Sequence, residues 1–124
     1  MSENARSLVI VEDEPLISLM IEDWAAELGW HVEAMAHNEV DALNALEKCS
    51  PTLANFDINL GSQTSLHVAK VCRDRGIPIV FTTGYTAGDI PLECGDAPVL
   101  PKPFSPDELA VALQRGLESC TGTA

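Results

Sequence analysis

Short apolar runs alternate with stretches of helical periodicity along the whole chain. The first run, about residues 6–12, is almost uniformly apolar, which is typical of a strand covered on both faces of a parallel sheet. After Pro15, apolar residues recur at the spacing of one helix face as far as Gly29, a residue type that often follows a helix end. The alternation continues and predicts an α/β fold with a doubly wound, five-stranded parallel sheet.

The predicted elements fill most of the chain. We expect strands at about residues 6–12, 31–36, 53–57, 77–81 and 98–101, and helices at about residues 15–28, 38–48, 65–75 and 105–119. Segment 59–64 is predicted as a loop, and the glycines and prolines of 84–98 predict a short or irregular fourth helix. By analogy with doubly wound sheets, we expect the strand order 2-1-3-4-5. Asn55 is unusual in a central strand and needs hydrogen bonds if it is buried.

Four of the predicted strands end in, or are followed by, charged or hydroxyl-bearing residues. These residues are Glu12-Asp13 after the first strand, Asp57 at the third, Thr82-Thr83 after the fourth and Lys102 after the fifth. In an open α/β sheet the carboxyl ends of parallel strands lie along one edge, where ligands bind. Each residue alone would be an ordinary cap, turn or surface residue. Together they predict one small site for a metal and a phosphoryl group.

The composition narrows the classes of function. The 124 residues carry 19 acidic and 7 basic side chains, which gives a net charge of −12. That balance argues against unaided binding to nucleic acid or an anionic membrane, because phosphate contacts need clustered Lys and Arg. The four cysteines are Cys49, Cys72, Cys94 and Cys120. They form no CxxC pair, which is the spacing that would indicate a zinc site. The chain lacks a signal-peptide pattern and a membrane-spanning run, which predicts a cytoplasmic protein.

Mg²⁺ suits this set of acids. The ion prefers oxygen ligands and usually binds one or two carboxylates together with waters and a phosphate oxygen. We expect Asp13 and Asp57 to bind it directly and Glu12 to hold a coordinating water. A backbone carbonyl just past Asp57, that of Asn59, is expected to complete the protein ligands. Asp57 is then the candidate nucleophile, which forms an acyl phosphate.

Two further residues are expected to contact the transferred group. Lys102 would supply a compact positive charge to the phosphoryl oxygens. Thr83 would supply a hydroxyl donor that can turn towards the new anion. Phosphoryl transfer of this kind works by positioning and charge neutralisation.

These motifs resemble the receiver domain of two-component response regulators. The resemblance covers nearly the whole chain in the right order and rests on Val11-Glu12-Asp13-Glu14-Pro15, Phe56-Asp57-Ile58-Asn59-Leu60, Thr83-Gly84 and Pro101-Lys102-Pro103-Phe104. It implies a flavodoxin-like fold, a bound Mg²⁺ and phosphorylation of Asp57 by a histidine kinase or histidine phosphotransferase. It also implies a cis peptide bond before Pro103, a state mainly available to X-Pro bonds.

The segment around Thr83 carries a second resemblance and two departures. Phe81-Thr82-Thr83-Gly84-Tyr85 is similar to the signature of the single-domain receivers called the FATGUY family, with threonine in place of the usual alanine. Gly61 replaces the usual proline after the phosphorylated aspartate, and Val99 replaces the usual Tyr or Phe of the fifth strand. The common coupling of Thr83 to that aromatic residue is therefore not expected. Tyr85 is a candidate to replace it as the switch residue.

The resemblance predicts a phosphoacceptor signalling protein rather than an enzyme. We expect one receiver domain over residues 1–124, with its core at about 6–119 and no output domain. Its signal would pass to a downstream protein partner by switching or by phosphate relay, without direct contact with nucleic acid or a membrane. Mg²⁺-dependent self-phosphorylation from small phosphodonors and autodephosphorylation are also expected.

Three other classes of protein are alternatives to this prediction. A flavodoxin needs a phosphate loop after the first strand, where Glu12-Asp13-Glu14 would repel a flavin phosphate. A phosphatase of the haloacid dehalogenase type needs a DxD motif, and Asp57-Ile58-Asn59 lacks the second acid. A receiver-like interaction module that works without phosphorylation stays open, although the intact set of site residues favours phosphorylation.

Overall fold

The computed structural model describes residues 6–60, 63–64, 66–84 and 97–122, in which strands and helices alternate. The strands are β1 (Arg6–Val11), β2 (Trp30–Ala36), β3 (Leu53–Asp57), β4 (Asn59–Leu60), β5 (Gln63–Thr64), β6 (Ile79–Thr83) and β7 (Val99–Pro101). The helices are α1 (Pro15–Glu27), α2 (Glu39–Lys48), α3 (Leu66–Asp74) and α4 (Pro106–Gly122).

Five of the strands form one parallel sheet in the order β2-β1-β3-β6-β7. This order confirms the doubly wound, flavodoxin-like arrangement 2-1-3-4-5, with β4 and β5 as an addition between the third and fourth strands of that scheme. Val11 pairs with Phe56, so the residues that follow β1 lie beside the end of β3. On the other side of β3, Asp57 pairs with Thr82 of β6. The register therefore brings the predicted site residues to one edge.

Helices cover both faces of the sheet. On one face, Phe56 and Phe81 pack with apolar residues of α2 and α3, and their ring centroids lie 6.2 Å apart. On the other face, Leu8, Ile10 and Val80 pack with apolar residues of α1 and α4. Strands buried on both faces need apolar side chains in both directions, which explains the nearly continuous apolar runs of the sequence.

Local signals in the sequence set several helix ends. Asn38 caps α2, because its side chain accepts a hydrogen bond of 2.8 Å from the backbone N–H three residues on. Ser105 and Glu108 form a capping box at α4: the Glu108 N–H donates to Ser105 Oγ, and the Ser105 N–H donates to Glu108 Oε1. After α1, Gly29 adopts a positive φ of 93°, which glycine reaches without a steric penalty.

Two predicted boundaries are wrong. The prediction of a loop over 59–64 fails because β4 and β5 pair as a short antiparallel ladder, which carries no apolar periodicity that could reveal it. The last helix runs to Gly122 instead of about residue 119, and no proline interrupts it after Pro106.

Several predictions concern segments that the structure does not describe. Residues 85–96, which hold Tyr85 and most of the predicted fourth helix, lie outside the described residues, and so does Gly61. Among the cysteines with described side chains, Cys49 and Cys72 are free thiols, and burial raises the pKa of Cys72 to about 12. None of the helices in the described ranges is long and apolar enough to cross a lipid bilayer.

Candidate functional site

The carboxyl ends of four parallel strands bring together an acidic site. Glu12 and Asp13 directly follow β1, Asp57 ends β3, and Lys102 directly follows β7. Glu12 is fully buried, Asp57 is 6% exposed, and Asp13 is half-buried. Thr83, the last residue of β6, is also buried, and its carbonyl accepts a 2.7 Å hydrogen bond from the backbone N–H of Lys102. Residues that are far apart in the sequence therefore meet at one edge of the sheet.

The ammonium group of Lys102 lies among three carboxylates. Its Nζ is 3.0 Å from Glu12 Oε1, 3.3 Å from Asp57 Oδ2 and 3.5 Å from Glu14 Oε1. Burial acts to lower the pKa of Lys102, but the hydrogen bonds and charges of Glu12 and Asp57 outweigh burial and raise that pKa. Lys102 therefore stays charged at neutral pH and offsets part of the negative charge of the site.

Glu12 has a strongly altered acidity. Burial raises the pKa of its carboxyl group from 4.5 to about 7. The hydrogen bond from Lys102 opposes this change, and the nearby charge of Asp57 adds to it. Glu12 Oε2 also accepts a hydrogen bond of 3.2 Å from the backbone N–H of Glu14. Without a metal, Glu12 therefore changes its charge close to neutral pH.

Three carboxylates form a group that fits a metal ion. Oxygen atoms of Glu12, Asp13 and Asp57 all lie within 4.8 Å of one another. Carboxylates this close repel one another, and a single lysine balances only part of their charge. Mg²⁺ prefers hard oxygen donors and keeps several waters, so it does not need a closed cage of protein ligands. The donor set fits Mg²⁺, and these three residues would hold it.

Two residues that the sequence did not assign to the site also contribute to it. Glu14 contacts the ammonium group of Lys102, as described above. His37 Nδ1 lies 2.9 Å from the backbone oxygen of Glu12, so a ring N–H can donate to that carbonyl and hold the turn after β1. His37 directly follows β2, and only the pairing of β2 with β1 brings it to this position.

Several known proteins similar to this chain are response regulators. The solution structure of SdrG from Sphingomonas melonis Fr1 is 37% identical, has a TM-score of 0.81, and matches over 91% of this chain and 97% of SdrG. The REC domain of the PhyR response regulator of Erythrobacter litoralis is 26% identical, with a TM-score of 0.81 and coverage of 95% and 94%. This chain belongs to the receiver domains of two-component response regulators.

The curated relatives of this receiver domain are longer proteins. The phyllosphere-induced regulator PhyR of Methylorubrum extorquens is 29% identical over 123 residues, which are 94% of this chain and 45% of PhyR. The receiver chain spans half or less of the length of the curated relatives that it matches. No family model matches the chain.

The segment after Lys102 forms one wall of the receiver site. The Lys102–Pro103 peptide bond is cis, the form that the resemblance implies. Phe104 is buried, and its ring packs edge-on against Trp24 of α1 with centroids 6.0 Å apart. A groove of about 470 Å³ adjoins the site and is lined by Glu14, Ile17, Met20, Lys102, Pro103 and Phe104. The receiver site therefore opens onto a largely apolar groove beside α1.

The roles predicted for the receiver site remain predictions, and three further residues belong to that set. Val99 begins β7, pairs with Phe81 and is half-buried against the core on the α2 and α3 face. Asn59 begins β4, and its backbone carbonyl remains a predicted metal ligand. Tyr85 lies outside the described residues, so its role as a switch residue stays a prediction. The same holds for the finer assignment to the FATGUY receivers.

Proposed function

We propose that this receiver accepts a phosphoryl group on Asp57 from a histidine kinase or histidine phosphotransferase in the cytoplasm. The observation that carries the proposal is the position of Lys102 Nζ, 3.3 Å from Asp57 Oδ2 and 3.0 Å from Glu12 Oε1. A cation held beside a buried carboxylate can meet the phosphoryl oxygens when they join that carboxylate. An ordinary surface ion pair would not need a lysine side chain that is only 14% exposed.

The proposed transfer is a nucleophilic substitution at phosphorus. A carboxylate oxygen of Asp57 forms a bond to phosphorus, while the bond between phosphorus and a nitrogen of the donor phosphohistidine breaks. The electron pair of the broken bond leaves with the imidazole nitrogen, and Asp57 becomes an acyl phosphate. Lys102 offsets negative charge on the phosphoryl oxygens, and the hydroxyl of Thr83 donates a hydrogen bond to one of them. Mg²⁺, when bound, screens the repulsion between the carboxylates and the incoming phosphoryl group.

The proposed switch uses the connection between Thr83 and Lys102. The two residues end or follow adjacent strands, and the 2.7 Å hydrogen bond between their backbones makes them move together. Phosphorylation adds negative charge at Asp57 and draws both side chains towards it. We propose that this movement changes the surface near β7 and α4, through which the receiver contacts a downstream protein partner.

Incubation with Mg²⁺ and acetyl phosphate tests the proposal. We expect the protein to gain the mass of one phosphoryl group and the variant Asp57→Asn to gain none. Asp23→Asn changes an exposed acid of α1 and serves as the matched control, which should be phosphorylated like the parent. The proposal is wrong if the parent shows no Mg²⁺-dependent gain or if Asp57→Asn gains the same mass. A receiver-like interaction module that works without phosphorylation would then be the better description.

A further inference from the structure

Two buried oxygen atoms close to the phosphorylation site have no hydrogen-bond partner within the described part of the chain. They are Glu12 Oε1 and Asn55 Oδ1, and their residues are 0% and 1% exposed. Glu12 Oε1 lies 3.0 Å from Lys102 Nζ, but the ammonium group directs its hydrogen bond to Oε2 instead. Buried acceptors are nearly always hydrogen-bonded to protein or to ordered water, so Asn55 Oδ1 needs a partner. Glu12 Oε1 has the ion-pair contact with Lys102 and can accept a hydrogen bond in addition, because a carboxylate oxygen has two lone pairs.

The two residues lie on neighbouring strands and on the same face of the sheet. Asn55 pairs with Ile10 of β1. Glu12 lies two residues after Ile10, and its backbone N–H donates a hydrogen bond to the carbonyl of Ala36 in β2. Side chains alternate along a strand, so Asn55, Ile10 and Glu12 all face α1 and α4. A strand spacing of about 4.8 Å and a rise of about 3.3 Å per residue place the Cα atoms of Asn55 and Glu12 roughly 8 Å apart.

The amide nitrogen of Asn55 is held on the side of β6, which limits where the amide oxygen can lie. The amide nitrogen donates a hydrogen bond of 3.3 Å to the backbone oxygen of Val80 in β6. β3 lies between β6 and β1 in the sheet. An amide group that turns its nitrogen towards β6 turns its oxygen towards β1, the strand that Glu12 follows. The two acceptors without partners therefore face the same small region below the acidic site.

We propose that one buried water molecule bridges Asn55 Oδ1 and Glu12 Oε1, and that Asn55 is a positioning residue for the metal-binding carboxylates. A water molecule has two hydrogens, so it can donate one to each oxygen and satisfy both acceptors. The bridge holds the Glu12 carboxylate from the core side and leaves its other oxygen to Lys102 and the Glu14 backbone. This inference deepens the proposed function and rests on it, because Asn55 acts on Mg²⁺ only through Glu12.

The variant Asn55→Leu tests the positioning role. Leucine keeps the branched shape of the amide, although it is larger, and removes both polar atoms. We expect the Mg²⁺ dissociation constant to rise about tenfold, the lower end of the effect of removing a residue that orients a metal ligand. Phosphorylation by acetyl phosphate should slow at limiting Mg²⁺ and recover at saturating Mg²⁺. A purely structural role would change the free energy of unfolding and leave the Mg²⁺ affinity unaltered.

Ile10→Val is the matched control, because it trims an apolar neighbour of Asn55 on the same face. It should lower the free energy of unfolding and keep the Mg²⁺ affinity of the parent. A crystal structure of the unaltered protein, at a resolution that shows ordered water, tests the bridge without any variant. We expect one water within about 3.2 Å of both oxygens.

Two results would overturn the inference. One is the absence of that water from a well-resolved crystal structure, and the other is a folded Asn55→Leu protein that binds Mg²⁺ as tightly as the parent. Either result leaves the proposed function standing if the parent is still phosphorylated on Asp57. A parent that is not phosphorylated with Mg²⁺ and acetyl phosphate would overturn the proposed function itself, whatever the crystal structure shows beside Asn55.

Discussion

Replacing Glu12 by glutamine should stabilise the metal-free protein at pH 8 but not at pH 5. Burial raises the pKa of Glu12 from 4.5 to about 7, so between these values the folded protein holds a proton that the unfolded chain has released. The contribution of Glu12 to stability is therefore fully present below about pH 4.5 and is lost as the pH rises through about 7. Glutamine resembles the neutral acid in shape and has no proton to lose.

The magnitude follows from the two pKa values. At about 1.4 kcal/mol per pKa unit, a rise from 4.5 to about 7 corresponds to about 3 kcal/mol. Most of this free energy, about 2 kcal/mol, is lost between pH 5 and pH 8. The Glu12 side chain is 1% exposed, so solvent screening reduces the value little. We expect the variant and the parent to have similar free energies of unfolding at pH 5. At pH 8 the variant should be more stable by about 2 kcal/mol.

Urea unfolding with EDTA, followed by the fluorescence of Trp24 and Trp30, measures this difference at both pH values. Glu47→Gln changes an exposed acid of α2 and is the matched control, which should keep the pH dependence of the parent. The reasoning is refuted if Glu12→Gln loses as much stability between pH 5 and pH 8 as the parent loses.

Three further changes have defined outcomes. The Mg²⁺ affinity should rise about tenfold from pH 6 to pH 8, because the ion favours the charged form of Glu12. Titration calorimetry measures the affinity at both pH values, and equal affinities would contradict this prediction. Gly116→Ala should lower the free energy of unfolding by about 1–3 kcal/mol, since the added Cβ would lie 2.8 Å from side-chain atoms of Leu53 and Val80. If the Gly116→Ala variant were more stable than the parent, α4 would not lie as close to the sheet at Gly116 as described. Cys72 should resist iodoacetamide in the folded protein and react after unfolding, because burial raises its pKa to about 12. Label found on Cys72 by peptide mapping of the folded protein would contradict this expectation.

The parts of the fold that the sequence predicts are those governed by local patterns. The apolar run before Asp57 indicates a strand covered on both faces, and Asn38 and Ser105 mark helix starts through their own side chains. These signals need no knowledge of distant residues. The short β4–β5 ladder carries no such pattern, and its pairing depends on backbone hydrogen bonds that any polar sequence can form.

The sequence predicts those parts of the site that depend only on the ends of parallel strands lying along one edge of the sheet. Asp57 and Lys102 could be placed together because parallel strands end on the same side of a sheet. The contact of His37 with Glu12 could not, since it depends on which strand lies beside β1. Asn55 stands out in the sequence as a polar residue in an apolar strand. Only the structure shows that its amide nitrogen has a partner while its oxygen has none among the described residues.

The two outer strands of the sheet limit how other chains can attach to this protein. β7 has only three residues and ends in Pro101, which has no N–H to offer to a further strand. β2, at the opposite edge, exposes His31 and Glu33, and polar or charged side chains on an edge strand discourage strand-to-strand association. Fibril-like growth through the sheet is therefore disfavoured even at high protein concentration. Recognition by added β-strands is disfavoured for the same reason, so helix and side-chain surfaces are left for protein recognition.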